Sequence, residues 1–251
     1  MDTENREKKF MLDEHFIRLF PDIAIGVLAV GGIRKGEEIS EEEKEKIRLF
    51  LANANEEAKK FLTSQVISGN KIPALWRAAY KKFPGKKGAR CSIEALLKRV
   101  LHGNPVPSIA PTVDITNGIS LKYGFPIGAE NMDAFCGDLH LGVMQGGEPF
   151  LPLGEETEDA ALTGEVAYYD GCGVVCRCFN WRDGKRTAVT KDTVNEFIAM
   201  ECIEPERTGE LKEAMEELVL LLERHTGARI CASGIVTAGN REMVISAHDD
   251  L

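Results

Sequence analysis

The first apolar run, DIAIGVLAVGGI at residues 22–33, is nearly continuous and built from small and branched residues, which predicts a buried strand. Ser40 with Glu43 forms a capping box, and Ile47, Phe50, Leu51, Ala54, Ala58, Phe61 and Leu62 continue a helical stripe behind it. That helix is expected to end near Thr63. A second helix is predicted over 74–83, stopped by Pro84 and Gly85, and a third from an N-cap at Ser92 to about Leu101, with Gly103 beyond its end. Pro111 and Gly124 bracket a fourth. On it Val113, Thr116, Asn117, Ser120 and Leu121 share one face by i, i+3, i+4 spacing. Thr116 and Asn117 therefore point the way Val113 and Leu121 point, which is inward. A buried polar pair needs partners. Either it bonds the backbone of a neighbouring strand or it lines a polar pocket.

From residue 137 the pattern changes to strands and turns. GDLHLGVM alternates, with Leu139, Leu141 and Val143 on one side, and EVAYYD and GVVCRCFNW read as two strands joined at Asp170-Gly171. TVNEFIAMEC at 193–202 fits a strand or a helical turn. A strong amphipathic helix covers 209–226 with Gly227 as its stop, and the end of the chain reads as a hairpin around Gly239-Asn240. No repeat, low-complexity tract or flexible linker interrupts the 251 residues. The expectation is one α+β domain over 1–251, with helices packed around a β-rich centre.

Composition narrows the function classes. A hydrophobic content of 43% and a charged content of 28% are ordinary for a globular protein with a real core. No apolar run approaches the ~20 residues that span a bilayer. The polar start, MDTENREKKFMLDEHF, lacks a secretory pattern, so a cytoplasmic location is the default. The net charge of −9 argues against a generally basic nucleic-acid coat, but the charge is segregated. Residues 71–99 carry nine Lys and Arg against Glu94 alone. Such a run suits phosphate contacts, or it is a solvated helical face balanced by distant carboxylates.

Seven cysteines, at 91, 136, 172, 176, 178, 202 and 231, are odd in number in a chain of this size. A disulfide framework is not expected. Cys172, Cys176 and Cys178 would share a face if their run is a strand, yet no C-x-x-C and no nearby His gives zinc spacing, so the thiols are read as structural and reduced and no metal is expected. The chain has no phosphate loop, no G-x-S-x-G and no H-E-x-x-H. His15, His102, His140, His225 and His248 are isolated, and His140 is expected to be exposed. What remains is a polar set: Asp114, Thr116, Asn117, Glu130, Asp133, Asn180, Thr187, Thr190, Thr193 and Glu201. Glu201 lies in the apolar context IAMEC, where a carboxylate is costly without a partner.

The order of LWRAAYKKFPG, SIEALLKRVLHGNPVPSIAPTVDITN, SLKYGFPIGAENMD, GDLHLGVMQGGEPFLPLG, GEVAYYDGCGVVCRCFNWRDGKRTAVTKDT and FIAME resembles the B3/B4 domain over about residues 70–205. That domain is the editing module of the bacterial phenylalanyl-tRNA synthetase β subunit, and it also occurs free-standing. The resemblance implies a layered β-sandwich core flanked by helices, and hydrolysis of a wrongly attached amino acid from tRNA. The family's Asp-x-Thr-Asn falls on Asp114, Thr116 and Asn117. Its glutamate that reads the amino-acid side chain aligns with Glu201 through a gap of two residues. At Gly128 the synthetases carry a His, and near Asn180 a Gly.

These positions give an expected site of Thr116, Asn117 and Glu201 as catalytic groups, with Asp114, Gly128, Glu130, Asp133 and Asn180 around the substrate. Arg77, Lys81, Lys82, Lys86, Lys87, Arg90, Lys98 and Arg99 would hold tRNA phosphates. The implied activity is deacylation of mischarged aminoacyl-tRNA in trans, without cofactor. A non-catalytic module binding RNA or an amino-acid-like ligand is the rival reading. An unrelated hydrolase with Asp114 or Glu201 as general base is a third.

Overall fold

A computed structural model of the protein describes residues 7–246. In chain order its elements begin with β1 (Lys9–Leu12), α1 (Glu14–Leu19), β2 (Ala24–Gly31), α2 (Glu41–Glu57), α3 (Lys71–Tyr80) and α4 (Ser92–Leu101). They continue with α5 (Pro111–Tyr123), β3 (Ile127–Asn131), β4 (Leu139–Val143), β5 (Val166–Asp170), β6 (Gly173–Arg177) and β7 (Arg182–Asp183). The chain closes with β8 (Glu196–Cys202), α6 (Thr208–Thr226), β9 (Arg229–Thr237) and β10 (Glu242–Val244).

Every residue of β2 is buried, which is why its sequence shows no alternation. It is a central strand covered on both faces. One sheet has the order β3-β8-β2-β9, the other β10-β1-β4-β5-β6-β7. The period of two divides β2 and β8 between two cores. Ile25, Val27, Ala29, Phe197 and Ala199 join the core between the sheets, with Leu139, Leu141 and Val175. Leu28, Val30, Ile198 and Met200 join a second core, with Ile47 of α2, Ile115 and Ile119 of α5 and Leu211 and Leu218 of α6. The result is an α+β layering of helices, sheet and sheet. Among the described residues no helix is long and apolar enough to cross a membrane.

The expected helices form, with shifted ends. Ser40 accepts from the Glu43 N–H at 3.2 Å and starts α2, which stops at Glu57 and tightens into a 3-10 turn at Ala58–Phe61. The second helix runs three residues earlier than its apolar pattern suggests, and Cys91 rather than Ser92 is the cap position of α4. The segment with two readings, 193–202, becomes strand β8. Pro111 begins α5 and Gly124, at φ 73°, ends it in the left-handed conformation that its C-cap needs.

Three expectations fail. The turn at Thr237–Asn240 exists, but β9 and β10 do not pair as a hairpin. β9 runs along the length of β2, while β10 crosses to β1 of the other sheet. The free edge of β2 offers β9 a longer ladder than three residues of β10 could. The cysteines are not all thiols either: Cys136 and Cys172 form a disulfide across 36 positions. Nor do Cys172, Cys176 and Cys178 share a face. Cys172 lies in the turn before β6, and Cys178 leaves the strand in the left-handed conformation.

The close approach of α2 to α5 depends on Gly118, where an added Cβ would sit 2.3 Å from Cε1 of Phe50. Alanine improves helix propensity by about 1 kcal/mol, but overpacking typically costs about 1–3 kcal/mol. Gly118→Ala is therefore expected to lower stability in urea melts. A variant as stable as the wild type would show that the two helices are not pressed together here.

Candidate functional site

Alternation on β8 places Phe197, Ala199 and Glu201 on the side that faces the six-stranded sheet. On the neighbouring β3, Glu130 stands opposite Phe197 and Gly128 opposite Ala199. The facing sheet answers with a cross-strand row: Tyr168 of β5 opposite Cys176 of β6, and Cys176 opposite Asp183 of β7. The sheets do not close over these residues. They leave a cavity of about 340 Å³, with Val113, Thr116 and Asn117 of α5 in its wall. The inward polar pair of α5 is thus accounted for: it lines a hollow and does not bond a strand. Ile109 and Leu153, both largely exposed, also border it.

Asn180 and Trp181 reach the cavity from an unusual turn. Cys178 and Phe179 both have positive φ, 46° and 65°. Such residues persist only when their surroundings hold them. Here Phe179 is fully buried, stacked on Phe16 and Phe20, and its N–H donates to Val166 O at 2.7 Å. The Cys178 N–H donates to Glu165 at 3.0 Å, and Glu165 is paired with the buried Arg177. This frame turns the next two side chains into the cavity.

The polar groups inside are incompletely bonded. The Tyr168 hydroxyl donates to Oε1 of Glu201 at 2.7 Å, while Oε2 of Glu201 has no partner. Neither carboxylate oxygen of Glu130 has one, nor does Nδ2 of Asn180; the Thr187 hydroxyl, behind the lining, is also unpaired. Asn180 accepts from Tyr80 at 3.1 Å through its Oδ1. Thr116 spends its hydroxyl hydrogen on Val113 O at 3.0 Å, so its oxygen faces the cavity as an acceptor. Asn117 makes no side-chain hydrogen bond with described protein groups.

Among the described residues no Lys, Arg or His lines this space. Burial accordingly drives its acids toward the neutral form. Glu201 is pushed up to about 8, against the pull of Tyr168 and of nearby Asn180. Burial also raises Glu130 well above the carboxylate range, and Asp183 and the Cys176 thiol above theirs. Asp183 lines the cavity and is itself exposed, so it stands at the rim.

Six of the eight expected site residues meet here: Thr116, Asn117, Gly128, Glu130, Asn180 and Glu201. Two do not. Asp114 turns the other way, accepting from the Ile109 N–H at 2.7 Å and from the Ser108 hydroxyl, so it ties down the loop that leads into α5. Asp133 is exposed and accepts from Asn195 at 2.9 Å. His140 is half-buried, stacked on Tyr169 and bonded to Asp13 at 3.0 Å. Sequence reasoning missed Tyr168, Cys176, Asp183 and Trp181. Their signal lies in strand register, which shifts between Tyr168 and Tyr169.

The basic run divides. Arg77 is bidentate to the buried Glu94 at 2.7 and 3.0 Å, and Lys86 pairs with Asp159 at 2.5 Å. Lys82 caps the Leu19 carbonyl at 3.0 Å and lies over the Phe20 ring. Arg90 and Arg99 bond backbone carbonyls of Gly88 and Pro105. Lys81, Lys87 and Lys98 make no ion pair among the described residues. Arg77, Lys81 and Arg90 line a groove of about 440 Å³ together with Tyr80, whose hydroxyl bonds the cavity residue Asn180. Groove and cavity are therefore neighbours, joined through one hydrogen bond.

A family model described as the B3/4 domain matches residues 75–227. Among solved structures, the chain is similar to an N-terminal fragment of the phenylalanyl-tRNA synthetase β subunit from Pyrococcus horikoshii, at 14% identity and a TM-score of 0.49. The likeness covers 92% of this chain and 53% of that one, so the chain spans about half that fragment's length. Among curated proteins no match is found.

Glu201 ionises near the ordinary carboxylate range in the unfolded chain, but only near pH 8 when folded. Between those values the unfolded chain binds fewer protons, so the group makes stability fall as pH rises through that window, levelling off above about 8. Glu201→Gln keeps an acceptor for Tyr168 and removes the titration. It is expected to gain roughly 1–5 kcal/mol over wild type at pH 9, and little at pH 5, in denaturant melts. Equal differences at both pH values would show that Glu201 is not held protonated.

Proposed function

The chain belongs to the B3/4 domain family, and from that premise we propose that it hydrolyses the ester bond of mischarged aminoacyl-tRNA in trans. The observation that carries this reading is the shared cavity. The hydroxyl of Thr116, the amide of Asn117 and the carboxyl of Glu201, eighty-four positions further along, border one hollow. Its volume of about 340 Å³ suits an amino acid and part of a ribose.

An aminoacyl ester is already activated, so positioning and charge stabilisation suffice. The Asn117 amide is free to donate to the oxyanion that develops at the ester carbonyl, and such a donor is typically worth about 3 kcal/mol. Thr116, its hydrogen spent on the helix, offers an acceptor that orients an attacking water or a ribose hydroxyl. Glu201 with Tyr168, beside Glu130 and Asn180, forms the polar end that receives the amino-acid side chain. The tRNA acceptor arm would lie along the groove of Arg77, Lys81 and Arg90.

A second reading, a non-catalytic module that binds the same ligands, is favoured by one observation. An added Cβ at Gly128 meets nothing within 4 Å, so the wall where the resemblance implies a His is open.

Incubation with a panel of mischarged tRNAs separates the two. Ester loss is expected on at least one pair, with Asn117→Ala lowering kcat about 10²–10³-fold. Thr116→Val is expected to lose activity, and Glu201→Ala to change which aminoacyl group is cleaved. Tight tRNA binding without turnover on any pair would leave the binding module. Turnover unchanged in all three variants would place the chemistry elsewhere.

The groove is tested by salt. Replacing Lys81 and Arg90 together by Ala is expected to raise KM for aminoacyl-tRNA with kcat nearly unchanged. The slope of log binding constant against log salt should become less negative by about 1 per lost phosphate contact. An unchanged slope would remove tRNA from this groove.

A further inference from the structure

One deeply buried acid of the cavity, Glu130, forms no ion pair among the described residues and feels only the neighbouring Thr187 hydroxyl and Arg186, which is engaged with Asp170. Glu130 is about nineteen-twentieths buried, and neither of its carboxylate oxygens meets a donor. An uncompensated buried carboxyl is costly. Two further donors converge on it from the opposite sheet. One carboxylate oxygen of Glu130, one of Asp183 and the Sγ of Cys176 all lie within 4.8 Å of one another. Among the described residues the cavity lining holds no basic side chain that could neutralise them.

The donor set has a chemical preference. A thiol adds nothing to the binding of an organic ammonium group, which seeks oxygen acceptors. One sulfur with two carboxylate oxygens suits a borderline-soft divalent ion. Metal–sulfur and metal–oxygen bonds of about 2.3 and 2.0–2.2 Å place tetrahedral donors roughly 3.5 Å apart, a contraction within reach of side-chain rotation. We propose that Glu130, Cys176 and Asp183 bind one divalent transition-metal ion of the zinc class in the cavity. Three protein ligands leave a fourth position open toward the hollow, for water or a ligand oxygen. On coordination the Cys176 thiol, and the Glu130 and Asp183 carboxyls where they are protonated, give their protons to solvent and bind as thiolate and carboxylates.

The other grouping of this kind, Cys136, Asp170 and Cys172, does not compete. Its sulfurs are joined to each other, and Asp170 is held by Arg186 and by the backbone N–H groups of Cys136 and Cys172. The zinc-class site is spread over three strands, so no local Cys or His spacing reveals it, against the expectation of a chain without metal.

The test uses the full chain, stripped with chelator, dialysed and titrated with Zn²⁺ by calorimetry and with Co²⁺ by absorbance. One equivalent is expected to bind, and Co²⁺ to show a thiolate-to-cobalt charge-transfer band in the near ultraviolet. Cys176→Ser should abolish the band and weaken Zn²⁺ by more than about 100-fold, beyond the 10–100-fold loss typical of a residue that only supports a ligand. Glu130→Gln and Asp183→Asn, which keep shape and remove charge, should each weaken it at least about 10-fold. They carry the test should Cys176→Ser fail to fold. Cys231→Ser, at a half-buried thiol outside the cavity, should change nothing. No stoichiometric uptake, or a band that persists in Cys176→Ser, overturns the proposal. So does saturable binding of an alkyl diamine that Glu130→Gln abolishes while Zn²⁺ does not bind. The titration contains no tRNA, so its outcome is independent of whether the ester is hydrolysed.

Discussion

A carboxyl group between two β-sheets must be met by something, and the architecture turns on how this protein meets its own. At Glu165 the answer is structural: Arg177, fully buried, donates to both of its oxygens, and the Cys178 N–H and thiol add to one of them. Nothing is left over, and the pair anchors the turn that aims Asn180 and Trp181. At Glu130 and Glu201 the same fold forms no ion pair among the described residues and leaves oxygens unpaired. Both arrangements occur within one protein. The second recurs at Glu196, which has one oxygen bonded to Thr112 and the other unpaired, but only in the cavity do such acids border an open hollow, where a partner can arrive from solution.

Much of this was legible in the chain. The carboxylate in IAMEC announces itself as expensive, and the stripe of α5 shows Thr116 and Asn117 turned toward the packed side. Helix ends were readable because Ser40, Pro111, Gly124 and Gly227 act within a few residues of themselves. The opposing wall was not. Tyr168, Cys176 and Asp183 form a row only through the pairing of three strands, one with a register irregularity. The Cys136–Cys172 bond depends likewise on how β4 and the turn before β6 are brought together. Asp114 and Asp133 misled for the converse reason. Their polarity was visible, but its use in local loop bonds was not.

Helices α3 and α4 show how the parts are coupled. Glu94 is nearly completely buried, and Arg77 reaches across from α3 to neutralise it. That bond withdraws one cation from the groove and fixes the spacing of the two helices. Tyr80, one turn on, hands a hydrogen bond to Asn180 inside the cavity. A ligand that shifted α3 would therefore be felt at Asn180, whose other side-chain atom is unpaired.

The crossing from β9 to β10 has a consequence for the integrity of the whole. After the turn at 237–240 the chain abandons one sheet and finishes on the other, where β10 covers the outer rim of β1. Among the described residues a short segment, 241–246, shields a row of backbone donors and acceptors from a stranger's strand. A chain clipped in that turn would loosen only the margin of one core, at Met243 and Ile245, and yet present a sticky border, and its first failure would be self-association rather than unfolding.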